Sequence, residues 1–88
     1  MERNVTVAIV EGLHARPAAL FVAAASAAPA DVTISKGSDP VPADSILSVM
    51  TLGVTAGDVV TLATAGEVAD DDAALSTLEA FLQQTEIN

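Results

Sequence analysis

Asn4-Val5-Thr6-Val7-Ala8-Ile9-Val10-Glu11-Gly12-Leu13-His14-Ala15-Arg16-Pro17 is the stretch from which the rest of the chain can be read. Its first seven residues alternate, with Val5, Val7 and Ile9 on one face and Thr6, Ala8 and Val10 on the other. That period of two predicts a strand with one buried face. Glu11-Gly12 ends it. Pro17 suits the first position of a helix, where its missing N–H costs nothing. Leu20, Val22, Ala23 and Ala24 carry that helix to about Ala28, and Pro29 stops it.

The same two periods recur downstream. Asp31 to Lys36 alternates, so Val32 and Ile34 should face inward, and Gly37-Ser38-Asp39 is a turn. Val41 lies between Pro40 and Pro42, neither of which can donate to a ladder, so any strand here must be short and at an edge. Ser45 has the position and chemistry of an N-cap for a short helix, Ile46 to about Leu52, closed by Gly53. Ala56-Gly57-Asp58 turns into a clear strand, Val59 to Ala65, burying Val60 and Leu62. Asp70-Asp71-Asp72 reads as a helix cap and first-turn dipole complement rather than a metal site, because consecutive acids point in different directions around a helix. No metal and no cofactor is expected. Leu75, Leu78 and Leu82, flanked by Ala74 and Phe81, then form one apolar helical face.

Amphipathic strands need a cover on one face, and the two long helices provide it. The fold class is α+β, an open-faced sandwich, with a ferredoxin-like arrangement as the alternative because spacing does not fix strand order. The 88 residues make a single domain, 1–88. Alanine supplies eighteen of the apolar residues and the aromatics are only Phe21 and Phe81, so the core must be aliphatic and closely packed. The absence of cysteine excludes disulfides, thiolate metal sites and cysteine nucleophiles. Twelve acids against three bases give a formal charge of −9, which speaks against nucleic acid and anionic membrane as partners. Pro17 to Ala25 has the length of a secretory apolar region, but the acid-bearing strand before it argues against a leader, so a cytoplasmic protein is expected.

His14 is the only histidine, and it lies between a strand and a helix start. The first amides of a helix are unpaired, and with the dipole they form an anion site. Arg16 adds a permanent cation with a forked donor set suited to phosphate oxygens. A neutral imidazole there can act as a nucleophile, so the parts fit phosphoryl transfer through phosphohistidine. There is no nucleophile elbow and no Walker-type loop, which leaves serine hydrolysis and nucleotide hydrolysis unsupported.

Gly12-Leu13-His14-Ala15-Arg16-Pro17-Ala18 resembles the active-site signature of the HPr family, the histidine phosphocarriers of the phosphoenolpyruvate:sugar phosphotransferase system. Ser45 to Val54 resembles the family's regulatory-serine segment, and Gly57 to Leu62 its last strand. The resemblance implies a four-stranded antiparallel sheet covered on one face by two long helices and one short one. It implies that His14 takes a phosphoryl group on Nδ1 from phosphorylated enzyme I and passes it to an enzyme IIA domain for sugar uptake. Arg16 would neutralise the group, and the backbone of Ala15, Arg16, Pro17 and Ala18 would hold its oxygens. Ala19, Ile46, Leu47, Met50 and Thr51 are the matching candidates for partner docking. Helical spacing prevents Ile46, Leu47 and Met50 from all pointing inward, and Leu47 is the one expected at the surface. Ser45 is the candidate regulatory phosphosite. Asp44 beside it disfavours a phosphate by like-charge repulsion, so the capping role fits better. A monomer is expected, circulating as a free carrier, since the chain starts at Met1 and ends after its last helix. A regulatory binding module working through the Ser45 surface, and an HPr-like unit in a nitrogen-related or dihydroxyacetone kinase relay, are the competing readings.

Overall fold

Seven elements follow one another in the computed structural model, which describes residues 1–87. They are β1 (Glu2–Thr6), α1 (Ala15–Ala27), β2 (Thr33–Ser35), β3 (Val41–Pro42), α2 (Ile46–Thr51), β4 (Val59–Ala63) and α3 (Ala69–Leu82). The strands form one sheet in the order β1-β4-β2-β3, with every neighbouring pair antiparallel. That order is the open-faced sandwich and not the ferredoxin-like alternative. β3 sits at the edge with only two residues, as its flanking prolines require.

Register explains the core. Val5 stands opposite Val60, and Ile34 opposite Leu62, so inward residues of three strands meet on one face. All four are buried, as are Leu75, Leu78 and Leu82 of α3 and Phe21 of α1. The two aromatic rings meet edge to face, Phe21 against Phe81, with centroids 5.6 Å apart. On the opposite, uncovered face the Thr61 hydroxyl donates to Asn4 Oδ1 at 2.8 Å.

Several boundaries differ from expectation. The alternating segment 4–10 does bury Val5, Val7 and Ile9, but β1 runs from Glu2 to Thr6 only. Beyond Thr6 the extended chain leaves β4. Val7 exchanges hydrogen bonds with Gly57 and Asp58, while Ala8 and Val10 donate to the carbonyls of Leu82 and Thr85. Alternation reports burial, and it is blind to which backbone the strand pairs with. β2 and β4 are likewise shorter than the segments 31–36 and 59–65 that carry their alternation.

α1 begins at Ala15, so Pro17 is its third residue and not its first. Proline fits there too, because the first-turn amides lack intrahelical acceptors anyway. α3 is capped from within. The Val68 N–H donates to Asp71 Oδ2 at 3.0 Å, and Asp71 is buried. Asp72 pairs with Arg3, and Asp70 stays exposed, so the three acids do point three ways. Arg3 reaches from the covered face of β1 to Asp72, Ser76 and Glu79, which are successive turns of α3.

Candidate functional site

Gly12 has φ +70°, and a Cβ there would overlap the Val54 carbonyl oxygen, so only glycine lets the two backbones close. Leu13 is wholly buried and its N–H donates to that same carbonyl at 3.0 Å. The loop is thus anchored immediately before its reactive candidate. His14 then stands exposed at the N-cap of α1, with extended backbone (φ −122°, ψ 156°) and no side-chain capping bond. Its imidazole is therefore not committed to the helix.

Ala15 has φ +46°, the one non-glycine residue in the left-handed region among those described. That conformation costs an L-residue roughly 1–2 kcal/mol, and here it is imposed between buried Leu13 and buried Pro17 and Ala18. Ala15 and Arg16 N–H groups have no acceptor among the described residues, while the Ala18 N–H donates to the His14 carbonyl at 3.4 Å. Pro17 has no N–H and Ala18 is already engaged, so two amides remain available.

Charge sharpens the picture. Arg3 is held by Asp72 and Glu79, and Lys36 by Asp58. Among the described residues Arg16 is the one basic side chain without an acid within reach, and it is exposed. In a chain of net charge −9, the one basic side chain without an acid partner among the described residues lies two positions from the only histidine.

Ala19, Ile46, Leu47, Met50 and Thr51 are all exposed, on α1 and α2, which pack together. Leu47 is 78% exposed, as expected, but Ile46 and Met50 join it, and only Val49 of α2 is buried. Ser45 occupies the N-cap position of α2 without capping it, a correction to the expected side-chain role. Its hydroxyl donates to Ser48 Oγ at 3.0 Å instead. A shallow open cleft of about 280 Å³ lies elsewhere, among Ala25, Asp31, Val32, Thr33, Pro42 and Asp44, and contains none of these candidates.

The residues that hold Val54 escape a sequence reading. Asp58 Oδ2 accepts from the Thr55 N–H at 2.8 Å, from its hydroxyl at 3.0 Å and from Lys36 Nζ at 3.0 Å. The Thr55 amide first, then the Lys36 ammonium, hold the Asp58 carboxyl below its ordinary pKa of 3.8. Gly57-Asp58 signals a turn in the sequence, but nothing in it ties that turn to His14.

The chain is thus a small α+β open sandwich with an antiparallel four-stranded sheet and an exposed histidine at a helix start. The family profile described as "PTS HPr component phosphorylation site" matches residues 1–84, and the chain belongs to the HPr family of the phosphotransferase system. The phosphocarrier protein HPr of Bacillus anthracis has the same fold, at 40% identity with a TM-score of 0.87 over 94% of this chain and 96% of that one. Crh, the catabolite repression protein of Bacillus subtilis, is 42% identical with a TM-score of 0.72 over 96% and 94%, and is described as a swapped-domain dimer. The phosphocarrier protein HPr of Streptomyces coelicolor is 60% identical over 35 residues, 40% of this chain and 38% of that one. That alignment spans well under half of the Streptomyces protein. Among the described residues no helix is long and apolar enough to cross a membrane.

Proposed function

We propose that the chain is a phosphocarrier in which His14 accepts a phosphoryl group from phosphorylated enzyme I and hands it to an enzyme IIA domain. Family membership supports the relay, and one observation supports the site. Among the described residues, the one basic side chain left without an acid partner stands beside the only histidine of the sequence, at a helix start with two unengaged amides.

The His14 Nδ1 lone pair attacks phosphorus, a new N–P bond forms, and the N–P bond to the enzyme I histidine breaks with its electron pair returning to that imidazole. The second transfer repeats this exchange toward enzyme IIA. Arg16 offsets the phosphoryl charge, and the Ala15 and Arg16 amides receive its oxygens. An exposed acceptor suits a group carried by another protein, whereas a free small substrate would call for an enclosing pocket. Ala19, Ile46, Leu47, Met50 and Thr51 would form the docking face, an apolar patch of the kind that marks a transient interface. The protein would act as one cytoplasmic unit, 1–88, and as a monomer, binding neither nucleic acid nor membrane. Ser45 would be the candidate regulatory phosphosite, with Asp44 beside it opposing the added charge.

Incubation with labelled phosphoenolpyruvate and enzyme I should give an acid-labile label on the wild-type protein and none on His14→Ala. Label persisting on His14→Ala would sink the proposal.

A further inference from the structure

The loop 53–58 between α2 and β4 takes no part in the transfer chemistry, yet the His14 loop is fastened to it. Val54 supplies the carbonyl that receives the Leu13 N–H, and Gly12 lies against the same backbone and against Thr55. Both neighbours of Val54 are gripped by side chains. Lys36 Nζ donates to the Gly53 carbonyl at 3.0 Å, and the Thr55 amide and hydroxyl both donate to Asp58 Oδ2. Lys36 and Asp58 then bind each other at 3.0 Å, which closes the cluster around Val54. The far end of the loop is fixed by Gly57 N–H to the Val7 carbonyl and Val7 N–H to the Asp58 carbonyl, both at 2.8 Å.

We infer that Lys36, Thr55 and Asp58 form a positioning cluster for His14, holding Val54 so that the Gly12–Leu13 segment presents the imidazole in one place. Its kinetic consequence rests on the phosphocarrier reading, while its structural half stands on the geometry alone. A cluster that only stabilised the α2–β4 turn would lower the melting temperature and leave transfer by folded molecules unchanged. A positioning cluster affects the rate at saturating partner, because small misplacements of a reacting group are costly.

The test compares wild type, Asp58→Ala, Asp58→Asn and Lys36→Met as full chains, at a temperature where each is folded by circular dichroism. Transfer from phosphorylated enzyme I is measured together with hydrogen exchange of the Leu13 amide and the His14 ring resonances. Asp58→Ala should lower the saturated rate about tenfold with the half-saturating enzyme I concentration within about twofold, as expected for lost orientation. Leu13 exchange should quicken and the His14 resonances should move. Asp58→Asn keeps an acceptor oxygen for Thr55 and should recover most of the rate. Should Asp58→Ala fail to fold, Lys36→Met carries the same comparison, with the Thr55 contacts left in place. Unmoved Leu13 and His14 signals, or quickened Leu13 exchange with an unchanged saturated rate, would overturn the inference. If wild type itself takes no label, the phosphocarrier reading fails separately, and the Leu13 and His14 signals still decide the geometry.

Discussion

Gly12 shows how little a residue needs to contribute in atoms to be indispensable in place. Its positive φ and its approach to Val54 act together, so alanine there is strained by its backbone and blocked by its Cβ. We expect Gly12→Ala to cost about 2 kcal/mol or more, measured by urea unfolding, from left-handed strain plus the overlap. An effect under about 0.5 kcal/mol, the usual scale of surface changes, would mean that the loop can slide away from Val54. Ala15 is strained without being a glycine, and sequence reading has no means of finding this, since alanine is an ordinary helix starter. His14 and Arg16 were legible for the opposite reason. In a chain with one histidine and three bases, composition alone makes their neighbourhood conspicuous.

Among the elements, the start of α3 separates three adjacent acids by function. Asp71 accepts the Val68 N–H and is buried, whereas Asp70 touches nothing that the helix needs. Asp71→Ala should therefore cost about 1 kcal/mol, a loss typical of a cap, and lower the melting temperature by roughly 4–8 °C for a domain of this size. Asp70→Ala should lower melting by only about 2 °C, having just a dipole interaction of about 0.3 kcal/mol to lose at an exposed position. Equal losses would show that dipole, and not capping, holds this helix end. The segment 4–10 marks the limit of what periodicity carries. Its inward face was legible because water makes burial a property of each side chain, but its pairing was not. Val7, Ala8 and Val10 bond to residues 50 to 75 positions away, and such partners leave no local trace. The same holds for the loop 53–58, whose hold on Leu13 depends on a backbone carbonyl.

The whole molecule carries an unbalanced field. Asp58, Asp72 and Glu79 have basic partners, and nine of the twelve acids have none among the described residues. Self-repulsion on so compact a chain opposes folding, and salt screens it with a length of about 8 Å at physiological strength and about 3 Å at 1 M. We expect the melting temperature to rise by several degrees between 0.05 and 1 M sodium chloride, on the order of 1 kcal/mol of relieved repulsion. A fall would show that the Arg3 and Lys36 pairs outweigh the repulsion. The join between Gly12–Leu13 and Val54 has a consequence of another kind. It is made from a carbonyl and an amide, groups that every residue other than proline brings to its position. The identity of residue 54 can therefore drift among buried aliphatic side chains without releasing the histidine loop, whereas position 12 admits no alternative. A library randomised at both positions and sorted for function should return many solutions at one and a single letter at the other.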